Sequence, residues 1–296
     1  MTVVLAGPTG VGKTSLALDL AERLGVDILS ADSRQAYREL DIGTAKPTPE
    51  QRARVRHHWV DVLDVGQPTS AGLFSREFDR LAAAGPSPLV VGGSTLYVDA
   101  VVRGLAALPE VPPGVALDVF AETATAAGRA ALFAELLAAD PAAAATLDAT
   151  KTQRVARFVG VLRVSGRGPS AWWAEAVPPR SDVQLFVLSR PRDEVYARIE
   201  ARVDQMLADG LVDENRRLLG AGFAPDAPPL RTIGYQEPMA FLRGEISEGE
   251  MVRLLKQNTR RYAKRQFTWF RRYPEAVWVE ADASPLRAIC DSLSSK

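Results

Sequence analysis

Apolar positions along this chain repeat with two periods. Val3-Val4-Leu5-Ala6 is a short unbroken apolar run that ends at a glycine-rich stretch, and residues 14–24 then carry a helical apolar pattern. That is strand, loop, helix. Ile28-Leu29 is a second short run, leading into Ser30-Ala31-Asp32-Ser33. Leu89-Val90-Val91 is a third and stops at Gly92-Gly93. Between them, residues 72–84 read as an amphipathic helix with Leu73, Phe78 and Leu81 on one side. Leu185-Phe186-Val187-Leu188 is a later apolar run, the chain from Arg192 onward reads as mostly helical, and Val277-Trp278-Val279 reads as a terminal strand. Strands alternating with helices predict an α/β fold with a mostly parallel sheet.

The alternation is interrupted once. Composition changes at Pro109-Glu110-Val111-Pro112-Pro113; from Ala116 to Thr150, 15 of 35 residues are alanine, and helical periods continue to about Gly166. Pro178-Pro179 then punctuates the chain. The expected organisation is a small all-helical insertion, 114–180, between two parts, 1–113 and 181–296, of one α/β core. Alanine favours helix by itself, so its abundance needs no further function. The chain shows no internal repeat.

Composition narrows the chemistry. The chain has 296 residues, 47% hydrophobic and 24% charged, which suits a globular protein with a sizeable core. A single cysteine, Cys290, excludes an internal disulfide, a Cys-rich zinc module and a Cys-x-x-Cys redox pair. The two histidines, His57 and His58, are too few for a His-rich metal site and suit the start of a strand. The uncharged stretch Leu81–Val98 is broken by Gly85, Pro86, Pro88 and Gly92-Gly93, so no membrane span is expected. With no basic leader before the first apolar run, a cytoplasmic location is expected. With 36 Lys+Arg against 36 Asp+Glu, any affinity for nucleic acid must come from local clustering.

Gly7-Pro8-Thr9-Gly10-Val11-Gly12-Lys13-Thr14 matches G-x-x-x-x-G-K-[ST] and lies between a strand and a helix, the context a phosphate-binding loop requires. Its glycines let backbone N–H groups turn inward around phosphate, the helix N-terminus adds positive potential, and Lys13 adds a mobile charge. The Thr14 hydroxyl suits Mg²⁺. The motif predicts a P-loop NTPase-like core. A guanine-reading Asn-Lys-x-Asp is missing, and glycines end the third strand where a Walker B carboxylate would stand. Two uses of the loop remain: phosphoryl transfer, or holding a diphosphate that leaves.

Asp32 follows an apolar strand, at the rim where open parallel sheets bind ligands. It is a candidate base, with Ser33, Arg34 and Gln35 beside it; the competing reading is a cap for the next helix. From Arg253 to Arg272 there are eight Lys/Arg and no Asp/Glu, including Lys256, Arg260, Lys264 and Arg265. So long an acid-free run in a neutral protein points to a phosphate backbone. The aromatics within it, Tyr262, Phe267, Trp269 and Phe270, recur at helical spacing and are expected in the core. Arg154 and Arg157, three apart, share a helix face that is either solvated or RNA-facing.

The chain resembles the tRNA dimethylallyltransferases, the family that prenylates adenosine 37. The resemblance is carried by Leu29-Ser30-Ala31-Asp32-Ser33-Arg34-Gln35-Ala36-Tyr37-Arg38, then Leu40-Asp41-Ile42-Gly43-Thr44-Ala45-Lys46-Pro47 and His57-His58-Trp59-Val60-Asp61. It continues through Gly92-Gly93-Ser94-Thr95-Leu96-Tyr97, Asp140-Pro141 and Gln153-Arg154-Val155-Ala156-Arg157. It ends with Arg231-Thr232-Ile233-Gly234-Tyr235-Gln236 and Tyr262-Ala263-Lys264-Arg265-Gln266-Phe267-Thr268-Trp269. Ser94 stands where the family usually has threonine, Val11 is unusual in the loop, and Gly114-Val115-Ala116 lacks an expected arginine.

The resemblance implies that the loop, Gly7 to Thr14, holds the diphosphate of dimethylallyl diphosphate, with Mg²⁺ as cofactor. It implies catalytic roles for Asp32 as general base, Ser94, and Arg231 acting on the diphosphate. It further implies tRNA contacts from Asp32, Ser33, Arg34 and Gln35, and from Gln153, Arg154, Val155, Ala156 and Arg157 of the insertion. With no heptad seam, a monomer is expected. A prenyltransferase of free AMP or ADP, a small-molecule kinase and a non-catalytic RNA-binding NTPase are the alternatives; the first would need neither the insertion nor the basic tract.

Overall fold

A computed structural model describes residues 1–106, 108–175 and 180–294; Pro178-Pro179 lies outside the described residues. They form two compact units, 1–103 with 180–296, and 104–179.

In the first unit the chain runs β1 (Thr2–Ala6), α1 (Lys13–Leu24), β2 (Ile28–Ala31), α2 (Pro49–Arg54), β3 (His57–His58), α3 (Ala71–Ala84), β4 (Leu89–Gly92) and α4 (Thr95–Val102). The second unit holds α5 (Pro113–Glu122), α6 (Ala126–Ala139), α7 (Pro141–Ala144), α8 (Thr152–Ser165) and α9 (Pro169–Ala174). The first unit resumes with β5 (Val183–Ser189), α10 (Arg192–Ala208), α11 (Leu211–Gly220), α12 (Gln236–Leu242), α13 (Glu248–Phe270), β6 (Val277–Glu280) and α14 (Pro285–Ser294).

The six strands form one sheet, ordered β3-β2-β4-β1-β5-β6, with every pair parallel. Successive side chains alternate faces, so each strand feeds two cores. Val4, Ala6, Leu29, Ala31 and Val90 pack on one face with Phe74, Phe78 and Val98. Val3, Leu5, Ile28 and Leu89 pack on the other with Leu16, Leu20 and Ile289. Register then sets the site. Ala6 and Ala31 both pair with Gly92, so β1, β4 and β2 end level. The phosphate loop, Gly93 and Asp32 therefore emerge side by side across three strands. Gly92 permits this closeness, since a Cβ there would stand 2.1 Å from the Ala31 carbonyl oxygen.

In the helical unit Val119, Leu132, Leu136, Val155, Ala156 and Val159 make the core. Asp140 is structural: it accepts hydrogen bonds from Ala143 N (2.9 Å), Ser170 N (2.8 Å) and Ser170 Oγ (2.7 Å), tying α7 to α9.

Candidate active site

The loop leaves β1 with Gly7, Gly10 and Gly12 at φ 148°, 82° and 103°, values that L side chains rarely adopt. At Gly7 a Cβ would also meet the Leu188 carbonyl oxygen at 2.7 Å. Thr9, Gly10, Gly12, Lys13 and Thr14 line a pocket of about 550 Å³. Gly7, Pro8 and Val11 are not among its lining residues; Val11 is fully buried in the core with Leu188, which accounts for an apolar side chain in the loop. Lys13 Nζ donates to the carbonyls of Gly7 and Pro8, 2.8 Å each. Burial, then the charge of Arg202, pushes the Lys13 pKa down to about 7 against the opposing pull of Asp32.

Asp32 makes the capping contacts of one of its two sequence readings. Its Oδ1 accepts from Arg34 N (2.8 Å) and Gln35 N (3.4 Å), which caps the turn after β2. Among the described residues no hydrogen bond reaches Oδ2. One oxygen fixes the carboxylate and the other has no hydrogen-bond partner among the described residues.

A second cavity, about 430 Å³, adjoins the first. Thr9, Asp32, Thr44, Arg202 and Tyr262 line both, so Asp32 stands in the wall the two cavities share. Ser33, Arg34, Ser94 and Arg231 line the second cavity alone. Ser94 precedes α4, and its hydroxyl makes no hydrogen bond to a described residue.

Several expected residues lie elsewhere. The structure does not bring Arg231 into the loop pocket: its Nη2 lies 3.1 Å from Asp226 Oδ2, and its Nε donates to Asp226 O. Gln35 faces the loop pocket, but its Nε2 donates to Thr44 O and Ala45 O and its Oε1 accepts from Ser30 Oγ. It braces β2 against residues 44–45, and both amide donors are engaged there. Val155 and Ala156 are buried in the helical core, whereas Gln153, Arg154 and Arg157 are exposed on the outer face of α8.

The basic tract divides by face. Lys256 and Arg260 point at α10, pairing with Asp204 (2.6 Å) and Glu200 (2.5 Å). They support the apolar seam in which Val203 meets Met251 and Leu255 and Ile199 meets Ala263. Arg261, Lys264 and Arg265 are exposed and form no ion pair among the described residues. The aromatics divide as well: Phe270 is fully buried, but Tyr262 lines both cavities, with the Arg265 guanidinium 5.7 Å from its ring centroid.

Three further residues complete the loop pocket. Arg198 and Arg202, one turn apart on α10, both line it. Arg198 Nε donates to Gly10 O (2.8 Å), and Arg202 is desolvated enough to lower its pKa while Asp32 pulls the other way. Each arginine directly precedes a buried apolar residue, Ile199 or Val203, at the edge of the helix's packed face. Gln266 is the third. Its Oε1 accepts from Thr9 N (2.9 Å) and its Nε2 donates to Gly93 O (2.8 Å), linking the loop to the end of β4. Lys13, Arg198 and Arg202 converge where a multiply charged anion gains most from a partly desolvated setting.

Thr14, exposed at the first turn of α1, lines the same pocket, and its hydroxyl makes no hydrogen bond to a described residue. No cluster of three or more His, Cys, Asp or Glu side chains suited to a metal occurs among the described residues. One hydroxyl beside a phosphate loop fits Mg²⁺, which keeps several waters and shares substrate phosphate oxygens. Among the described residues no helix is long and apolar enough to cross a membrane.

Comparison with known proteins identifies relatives and structures that share the fold. A sequence model described as IPP transferase matches residues 35–273. The tRNA dimethylallyltransferase of Salinibacter ruber is 46% identical over 284 residues, covering 94% of this chain and 87% of its own. That of Thermotoga maritima is 40% identical over 281 residues, covering 93% and 90%. Among solved structures, the tRNA isopentenylpyrophosphate transferase of Bacillus halodurans superposes with TM-score 0.72 at 33% identity, over 99% of this chain and 95% of that one. A eukaryotic dimethylallyltransferase acting on tRNA shares the fold, with TM-score 0.84 at 24% identity, over 100% and 80%.

Proposed function

This chain belongs to the IPP transferase family of tRNA dimethylallyltransferases, and from that premise we propose that it transfers a dimethylallyl group from dimethylallyl diphosphate to N6 of adenosine 37 in the tRNA anticodon loop, releasing diphosphate. The observation that carries this reading is the shared wall. A cationic pocket built on a phosphate loop meets a second cavity at a single carboxylate, Asp32, with one oxygen unpaired. A diphosphate ester fits the first and a nucleoside the second, with the reacting carbon and nitrogen meeting beside Asp32.

The chemistry follows from the charges. The adenine N6 lone pair is delocalised into the ring, so N6 attacks an allylic carbon only when the leaving group is strongly stabilised. The loop N–H groups, Lys13, Arg198 and Arg202 face the developing diphosphate charge. Mg²⁺ held by Thr14 and the substrate would neutralise more of it. As the N6–C1 bond forms and the C1–O bond breaks, Asp32 Oδ2 takes the N6 proton. The base must leave the anticodon-loop stack to reach this point, at a cost of a few kcal/mol. Ser33, Arg34 and Ser94 line the nucleoside side, and Arg231 is assigned there with them. Arg154 and Arg157 are the contacts the helical unit offers RNA.

The RNA half of this reading is tested by the two faces of α13. Replacing Arg261, Lys264 and Arg265 with alanine is expected to weaken binding of an anticodon stem-loop and to flatten the log–log salt dependence by about 0.7–0.9 for each RNA phosphate no longer neutralised. Replacing Lys256 and Arg260 is expected to lower the melting temperature and leave the salt slope unchanged, because both are already paired to α10. Salt titrations of fluorescent stem-loop binding distinguish the two. An unchanged slope in the triple variant would remove this helix from the RNA surface.

A further inference from the structure

Two of the signature strings meet at a group the sequence alone does not mark. Glu214, on α11, is only 2% exposed, and its carboxylate is paired with no cation among the described residues. Its Oε2 accepts from the backbone N–H groups of Asp41 (3.2 Å) and Ile42 (2.7 Å). Its Oε1 accepts from Gly43 N (3.1 Å) and the Tyr235 hydroxyl (2.7 Å). Four donors on two oxygens are what a buried carboxylate needs in place of water.

The fit between the strings is close. A Cβ on Gly43 would stand 2.6–2.7 Å from carbons of the Tyr235 ring and 2.9 Å from its hydroxyl, and one on Gly234, at φ 92°, would stand 2.9 Å from Gly43 O. The neighbouring Asn215 donates to Gly234 O (3.2 Å), and Glu237 accepts from Gly234 N (3.0 Å) and from Asn258 of α13 (2.8 Å). Gly43, Thr44, Thr232, Ile233 and Gly234 line the cavity that ends at Asp32. None of Glu214, Asn215 and Tyr235 lines either cavity.

We infer that Glu214 is a positioning residue for the transfer: by clamping residues 41–43 to Tyr235, it sets part of the wall of the nucleoside cavity that Asp32 also lines. The inference rests on the proposed reaction. The phosphate pocket is lined mainly by the loop, α1, α10, α13 and the ends of β2 and β4, and it meets the 41–47 string only at Thr44, Ala45 and Pro47, beyond the clamped residues. Gly43 and residues 232–234 line the nucleoside cavity alone, so the clamp acts chiefly on the nucleoside side. Burial, then the Glu214 charge, raises the Tyr235 hydroxyl well above the usual tyrosine range, so it remains a donor at any working pH.

Two variants test this. Glu214→Gln keeps the shape but turns an amide NH₂ toward N–H and O–H donors. Tyr235→Phe removes one hydrogen bond and keeps the ring, so it preserves folding if Glu214→Gln does not. Turnover is measured per molecule competent to bind pyrophosphate. With that normalisation, kcat/KM for an anticodon stem-loop is expected to fall about 10–100-fold, since misplacing reacting groups by about 1 Å costs on that order. Pyrophosphate affinity and KM for dimethylallyl diphosphate are expected to match the parent. Glu214→Asp, which restores the charge on a shorter arm, should recover part of the loss. A stem-loop kcat/KM equal to the parent in Tyr235→Phe and in folded Glu214→Gln would overturn the inference. So would equal losses on both substrates. Failure of the proposed reaction is a separate result, seen as no turnover by the parent protein.

Discussion

Asp32→Asn is expected to slow single-turnover transfer to an anticodon stem-loop by about 10²–10⁴-fold, the usual contribution of a general base. Asparagine retains an oxygen for the N–H groups of Arg34 and Gln35, so the turn after β2 persists, but it cannot take the N6 proton. Dimethylallyl diphosphate affinity should stay near the parent value, because the loop N–H groups are untouched and the lost pull on the Lys13 charge is offset by removal of a carboxylate that repels the diphosphate. Asp32→Ala loses the turn as well as the base, and its melting temperature should fall by the equivalent of about 0.5–2 kcal/mol relative to Asp32→Asn. If the carboxylate were only a cap, Asp32→Asn would turn over at the parent rate.

Arg202→Ala is expected to lower the transfer rate by about 10²–10³-fold, as removal of one preorganised donor to a developing anion does. It should also weaken binding of pyrophosphate and of dimethylallyl diphosphate. The guanidinium is largely desolvated beside Lys13 and Asp32, where its charge acts with little screening. Removing it relieves Lys13 of a repelling cation and raises the Lys13 pKa, which offsets a little of the loss. Arg231→Ala should behave differently, with pyrophosphate affinity near the parent value and the effect confined to the stem-loop. Pyrophosphate titration calorimetry on the parent and both variants compares them. Equal loss of affinity in both would return Arg231 to the diphosphate; full affinity in Arg202→Ala would remove Arg202 from it.

The contrast between these arginines shows which features local sequence can carry. The loop was legible because each part of it is local: glycines at positive φ, a lysine and a threonine fixed by spacing, a strand before and a helix after. Asp32 was legible for the same reason, since it directly follows the strand neighbouring β4. Arg198 and Arg202 were not. Each sits beside a buried residue on α10, which any amphipathic helix shows, and only closure of α10 over the loop turns them inward. Gln266 lay hidden within a basic tract because its two partners, Thr9 and Gly93, are more than 170 positions away.

Charge runs are ambiguous in the same way. Lys256 and Arg260 read as part of an RNA-facing stripe until the acids of α10 are seen opposite them. Val155 and Ala156, carried along within a signature string, have side chains that the helical core needs. A motif identifies a segment, and the fold decides which of its side chains are outside.

In the proposed reaction one nucleoside of the anticodon loop receives the prenyl group on nitrogen. Its most direct test is nucleoside mass analysis of a stem-loop incubated with this protein, dimethylallyl diphosphate and Mg²⁺, without ATP, beside reactions holding AMP or a stem-loop with guanosine at position 37. The expected result is one dimethylallyl group on N6 of adenosine 37, with one diphosphate released for each, and no product from AMP or from the guanosine stem-loop. Prenylated AMP with unmodified RNA, or product that forms only when ATP is present, would contradict it.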